Sequence, residues 1–316
     1  MKPYVFGIDV GGTTIKAGFF TTEGELLDKW EIPTRTQMNG KYILDDVADT
    51  IVMKMSERGI SKNSVEGIGI GVPGPVDNQG IVKGCVNLGW GEVNVTASLE
   101  TKLGLKVRVG NDANVAALGE AWKGAAEGTK NCLMVTLGTG VGGGIIIDGK
   151  IIAGVHGAGG EIGHICVNDD EIASCNCGKQ GCLEQYASAT GIVRLAKMQM
   201  KSFCGESVLM SNDAKQQSIT AKDVFDAAKD GDKLALNIVN EVSEILGKTL
   251  ANISCVCDPE AIVIGGGVSK AGEILRNRVE SSFINHAFHA CKTTKIVLAS
   301  LGNDAGMYGS AGLLLQ

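Results

Sequence analysis

Residues 4–32 read YVFGIDVGGTTIKAGFFTTEGELLDKWEI. Apolar runs at Tyr4–Asp9, Ile15–Thr21 and Leu26–Ile32 are separated by Gly11-Gly12-Thr13-Thr14 and by Glu23-Gly24. Short apolar runs punctuated by glycine are the mark of successive hairpins. Working outward, Tyr42–Arg58 places Ile43, Val47, Ile51 and Met55 on one helical face. Strands are expected at Glu66–Val72 and Leu105–Val109, and a helix over Ala113–Trp122. The opening grammar then returns: strand Asn131–Leu137, glycine turn Gly138–Gly144, strand Ile145–Ile147, turn Asp148-Gly149, strand Lys150–Ala153. Two similar halves follow from that repetition. Beyond it come a helix across Leu234–Ile253, strands at Ala261–Ile264 and Lys295–Ala299, and a closing helix after Asn303. Ser202–Ser218 reads as a variable surface excursion without a role.

The two glycine turns carry chemistry. In Asp9-Val-Gly-Gly-Thr-Thr-Ile-Lys16, backbone N–H groups converge where no Cβ blocks a phosphate. Asp9, at the strand end, is placed to hold a hydrated Mg²⁺. Leu137-Gly-Thr-Gly-Val-Gly-Gly-Gly144 is the matching turn, and the pair suits a triphosphate in a cleft between the halves. Two look-alikes are rejected. Gly138, Gly140 and Gly143 fit the dinucleotide fingerprint, but Ile145-Ile146-Ile147 continues as strand where that motif opens a helix. Gly144–Lys150 resembles a P-loop, but Ile151 stands where Ser or Thr must bind Mg²⁺.

Gly160-Glu161-Ile-Gly-His164 precedes Cys175-Asn-Cys177-Gly-Lys-Gln-Gly-Cys182-Leu-Glu184. Three cysteines and one histidine form a closed set suited to tetrahedral, structural Zn²⁺. The remaining cysteines, out of ten, read as reduced thiols in a cytoplasm, with Cys255 and Cys257 as small buried apolar residues. A net charge of −6 argues against nucleic acid as the main partner, and no apolar stretch suits a membrane span. The hydrophobic fraction of 44% allows a large core.

Together these motifs, with Ile264-Gly-Gly-Gly267, resemble the ROK family of sugar kinases and repressors over nearly the whole chain. Asn87-Leu-Gly-Trp90, Gly110-Asn-Asp-Ala-Asn114 and Glu120-Ala-Trp-Lys-Gly124 are similar to its bacterial glucokinase branch. The resemblance implies an α/β fold of the actin/hexokinase (ribonuclease H-like) kind, with duplicated αβ domains and ligands in the cleft. The domains expected are 1–117 plus 301–316, and 118–300. It implies ATP-dependent phosphorylation of D-glucose to glucose 6-phosphate, with Asp112 as general base. The sugar ligands implied are Gly74, Asn87, Asn111, Asp112, Glu161, His164 and Glu184. ATP is implied along Asp9, Gly11, Gly12, Thr13, Thr14, Lys16, Gly138, Thr139 and Gly140, with adenosine near Gly265, Gly266 and Gly267. His164 serves both zinc, with Cys175, Cys177 and Cys182, and sugar. A homodimer is the family habit. From the residues alone, Asp112 reads equally as base or as a helix cap, a job open to Asn111 as well. The rival readings are a kinase for N-acetylmannosamine, fructose or allose, a polyphosphate donor, and a sugar-sensing repressor. A repressor's DNA-reading helices find no room in the eight residues before Asp9.

Overall fold

The computed structural model describes residues 2–214 and 218–316, with the side chains of 212–214 excepted. The chain opens with strands β1 (Tyr4–Val10), β2 (Thr14–Thr21) and β3 (Leu26–Pro33), a single turn α1 (Gln37–Gly40) and helix α2 (Ile43–Glu57). Then come β4 (Val65–Val72), β5 (Ile81–Val82), β6 (Val93–Asn94), α3 (Val95–Leu103), β7 (Val107–Asn111) and α4 (Asp112–Lys123). The second stretch holds β8 (Cys132–Leu137), β9 (Val141–Ile147), β10 (Lys150–Ile151), α5 (Glu184–Ala187), α6 (Ala189–Met200), α7 (Val208–Ala214), α8 (Ala221–Lys229) and α9 (Lys233–Cys257). It ends with β11 (Ala261–Gly265), α10 (Glu273–His286), β12 (Lys295–Leu298) and α11 (Ala305–Gly312).

One sheet has the order β3-β2-β1-β4-β7 and the other β10-β9-β8-β11-β12. The orders are congruent: in each, the first strand has its hairpin partners on one side and two later strands on the other. The duplication expected from the recurring hairpin grammar is therefore present, in a mixed α/β fold. Among the described residues no helix is long and apolar enough to cross a membrane.

Contacts divide the chain into two units. The first comprises the chain up to Lys130, Gly144–Gly160 and Ser300–Gln316; the second comprises Asn131–Gly143 and Glu161–Ala299. The sequence-based division at 117/118 and 300/301 cuts the chain elsewhere, since all of α4 and 144–160 group with the first unit.

In the first unit, α2 buries Ile43, Val47, Ile51 and Met55, as their spacing requires, against Phe6, Ile8, Ile68 and Ile70 of the sheet. Helix α11 covers the opposite face at very short range. A Cβ on Gly7 would lie 2.1 Å from the Met307 carbonyl, and one on Gly69 1.6 Å from that of Ser310. Glu120 is fully buried on α4. Its carboxylate accepts N–H bonds from Ala125 (2.7 Å), Leu301 (2.8 Å) and Ser300 (3.1 Å). Four-coordinate acceptance, completed by the Ser300 hydroxyl at 3.3 Å, makes burial of that charge tolerable.

In the second unit, β11 pairs in parallel with β8 and with β12, and α9 packs along α10. Residues 202–211, within the stretch expected as a surface excursion, are mostly exposed but anchored: Leu209 of α7 is fully buried, and the Ser207 hydroxyl donates to Asp232 at 3.1 Å. Residues 215–217 lie outside the described residues. Cys255 is exposed and Cys257 half-buried, not buried as expected, because α9 ends there at the surface.

Candidate functional site

The first unit collects its candidate residues at the β1–β2 turn and the start of α4. The Gly11 N–H donates to the Thr14 carbonyl at 3.0 Å. Thr34 secures the turn from outside, its hydroxyl donating to the Gly11 carbonyl at 2.7 Å and its N–H to the Thr13 carbonyl at 2.9 Å. Gly12 and Thr13 are exposed; Thr14 and Lys16 are half-buried on β2. Asp9 is in register with Lys16 across the hairpin, and the Lys16 ammonium donates to the Asn303 carbonyl at 2.9 Å.

Asp9 is half-buried, its carboxylate pressed against α11, where a Cβ on Gly306 would sit 2.6 Å from it. Its pKa is pushed up to about 6, first by burial and then by the neighbouring Asp112 charge, with Lys16 opposing. Asp112 is raised as well. Its side chain is open to solvent on one side, yet protein crowds round the carboxylate and partly desolvates it, against hydrogen bonds from Ala113 and Asn111. Crowding of this kind favours a carboxylate that takes up a proton readily.

Asn111 resolves the question of the cap. Its Oδ1 accepts from the N–H groups of Ala113 (3.0 Å) and Asn114 (3.2 Å), so Asn111 is the α4 N-cap. Its Nδ2 donates to the Gly74 carbonyl at 3.1 Å, which ties the Gly74 turn to the start of the helix. Asp112 accepts the N–H of Ala113 at 2.8 Å and is free of the capping role. Gly74 adopts φ 95°, a conformation glycine accepts freely, and a side chain there would strike the Gly84 carbonyl. Asn87 is exposed on a tight loop closed by reciprocal bonds between Cys85 and Trp90, both at 2.9 Å. A Cβ on Gly12 would touch Asn87, so this sugar candidate and the first glycine turn are neighbours.

The second unit holds the other set. The Gly138 N–H donates to the Gly140 carbonyl at 2.9 Å, closing the turn between β8 and β9. The strand begins at Val141, earlier than expected, so Gly142 and Gly143 belong to β9 and not to the turn. Gly266, at φ 83°, packs on Leu137 so closely that a Cβ would lie 2.5 Å from its carbonyl. Beside it, a cavity of about 400 Å³ is lined by Gly267, Val268, Lys270, Thr220, Phe225 and Ala189. Only Gly267 of that lining had been expected.

The metal candidates converge. Ligand atoms of His164, Cys175, Cys177 and Cys182 all lie within 4.8 Å of one another. The Cys175 sulfur is 3.8 Å from His164 Nδ1, and Cys177 and Cys182 sulfurs are 3.6 Å apart. Burial and the neighbouring thiols push Cys182 up to about 12, a penalty that a central divalent cation relieves, so the donor set fits a metal. The other ring nitrogen, Nε2, lies 4.0 Å from the exposed Glu161 carboxylate. Glu184, first residue of α5, accepts from the Val141 N–H at 3.0 Å, and its other oxygen is 3.8 Å from the Cys175 sulfur.

A buried network behind this loop went unread in the sequence. Glu171 accepts from the Tyr186 hydroxyl at 2.6 Å and from Arg194, and its carboxyl is held down to about 2, chiefly by that Tyr186 bond. The Ala173 N–H adds a bond at 2.9 Å, so the strap before Cys175 is pinned to α5 and α6. A lone Glu in a loop gave no signal for this, because its partners lie 15 and 23 positions away.

The ROK family model matches residues 5–316. The chain is 47% identical over 312 residues to the glucokinase of Halalkalibacterium halodurans, covering 98% of this chain and 94% of that protein. The structure resembles the ROK hexokinase of Thermus thermophilus, with a TM-score of 0.79 and 30% identity over 98% of this chain and 97% of the other. It resembles also a ROK family glucokinase of Streptomyces griseus solved in complex with glucose and AMPPNP, with a TM-score of 0.73 and 34% identity over 98% of both chains.

Proposed function

The chain belongs to the ROK family, and on that premise we propose that it is a glucokinase, transferring the γ-phosphoryl group of ATP to the 6-hydroxyl of D-glucose. The observation that carries the reading is the division of labour at the start of α4. Asn111 caps the helix, which leaves Asp112 as a crowded carboxylate of raised pKa, close enough to Asp9 for their charges to interact. Asp112 is the general base. It takes the hydroxyl proton as that oxygen bonds to the γ-phosphorus, and the bridging oxygen leaves with ADP.

Gly74, Asn87, Asn111 and Asp112 offer the sugar one set of partners, and Glu161, His164 and Glu184 offer another. Asn111, tied to Gly74 through its Nδ2, stands beside Asp112 on this side of the sugar. The exposed Gly12 and Thr13 and the open Gly138 receive phosphates, and the cavity beside Gly267 receives adenosine. Asp9 would hold Mg²⁺, which when bound would neutralise charge on the transferring phosphates. His164, Cys175, Cys177 and Cys182 would hold zinc; with its Nδ1 beside the Cys175 sulfur, the His164 ring would be fixed there and would offer Nε2 to the sugar. A reducing cytoplasm, where the zinc-binding cysteines would remain reduced, is the proposed location, and a homodimer is the proposed assembly.

The test is a panel of glucose, mannose, fructose, N-acetylmannosamine and allose with ATP and Mg²⁺, read by ADP release. Glucose is expected to give the highest kcat/KM. A higher value for fructose or N-acetylmannosamine overturns the substrate while leaving a sugar kinase; no ADP release with any hexose overturns the kinase.

A further inference from the structure

The segment that follows the metal loop closes on the second phosphate turn at three points. Glu184 accepts the Val141 N–H at 3.0 Å. The Ala189 N–H donates to the Gly138 carbonyl at 2.8 Å. The Thr190 hydroxyl donates to the Thr139 carbonyl at 2.8 Å. Ser188 holds the segment in shape: it is fully buried, its hydroxyl donates to the Glu184 carbonyl at 2.6 Å, and it caps α6 by accepting the Gly191 N–H at 2.9 Å. The Ser188 and Thr190 hydroxyls are themselves 2.9 Å apart. An N–H at a helix start that lacks an intrahelical partner is thus spent on the turn. Gly140 has to be glycine for this arrangement, since a Cβ would lie 2.2 Å from Glu184 Oε2.

We propose that Ser188-Ala189-Thr190 is a clamp that sets the geometry of the Gly138–Gly140 turn for the phosphates of ATP, with Thr190 as its positioning residue. This rests on the reading of that turn as a phosphate site. With the carbonyls of Gly138 and Thr139 both occupied by the clamp, the turn is held with those oxygens turned away from a polyanion. Electrostatics requires this, because a carbonyl facing phosphate repels it. Glu184 extends the clamp to the sugar side. One of its oxygens is committed to Val141, so the carboxylate that meets the sugar is fixed by the turn that meets the nucleotide.

Thr190→Val keeps size and shape at an exposed position and removes only the hydroxyl. AMPPNP affinity measured by calorimetry is expected to fall about fivefold, the usual effect of one hydrogen bond. KM for ATP should rise alike while kcat and glucose affinity stay within about twofold, and Thr190→Ser should restore both nucleotide values. Gly138→Ala tests the underlying reading separately: inside the protein its Cβ meets only the Gly140 carbonyl, at 3.9 Å, so the fold accepts it and a bound phosphate does not. Wild-type AMPPNP affinity in Thr190→Val overturns the clamp. Equal loss of glucose and AMPPNP affinity with a lowered Tm overturns it too, as general loosening. Weak binding in Thr190→Val beside normal binding in Gly138→Ala places the nucleotide off the turn and overturns the reading and the clamp together.

Discussion

The two glycine turns share a grammar and differ in what supports them. The first, at Gly11-Gly12-Thr13, is held by Thr34 through backbone carbonyls, and its neighbours are two carboxylates with raised pKa values, Asp9 and Asp112. The second, at Gly138-Thr139-Gly140, is held instead by Glu184, Ala189 and Thr190, which follow the Cys/His cluster in the chain. One backbone solution occurs twice, with a carboxylate pair beside one copy and the Glu184–Thr190 segment against the other. Only the first should respond to proton chemistry, and only the second to loss of the metal.

The largest effect tests the reactive side. Asp112→Asn keeps the Asn111 cap and the helix, so fold and glucose binding should persist while kcat falls by roughly 10²–10⁴. Steady-state kinetics with glucose calorimetry decides it; turnover near wild type would remove the first turn's claim to the chemistry.

The next effect tests the braced side. Cys177→Ala leaves three ligands, so zinc by elemental analysis should drop from one per chain to a small fraction. The loop continues directly into Glu184 and the clamp on Gly138–Val141. Glucose and AMPPNP affinity should therefore both weaken, by roughly 10-fold or more. A zinc-free variant that binds both ligands normally would show that the second turn needs no metal brace.

The smallest effect sharpens the contrast through pH. Asp9 has a folded pKa of about 6 against an ordinary 3.8, so the folded state binds the proton more tightly than the unfolded chain. Its ionisation costs stability above pH 6, and that cost fades as pH falls through 6 towards 4. Asp9→Asn should raise stability by about 1–3 kcal/mol at pH 7.5 and by nearly nothing at pH 4. Thermal unfolding at the two pH values measures this, and parallel shifts would contradict it. In the wild type kcat/KM should decline below pH 6 as the first turn loses its negative charge.

Much of this contrast could be read from residues alone, and the part that could not has a physical reason. The hairpins, α2 and the Cys/His cluster were legible because glycine punctuation, a four-residue apolar spacing and close cysteines are local signals. Helix α10 was not. Its buried residues, Leu275, Val279, Ser282 and Phe283, sit among charged neighbours that blur the period. The Thr190 bond to Thr139 spans 51 positions, and nothing near Thr190 announces it. Asn111 and Asp112 were visible as a pair, but which one capped the helix depended on geometry that no spacing encodes.

Glu120 and the glycines beneath α11 bear on how the protein is made. A half that leaves the ribosome first usually folds first. Here Gly7 and Gly69 present bare backbone where α11 belongs, and Glu120 lacks its Ser300 and Leu301 donors, until that last segment has been synthesised. The N-terminal half therefore waits for the C-terminal half, and a nascent chain halted before Ser300 carries an open sheet face for chaperones to shield.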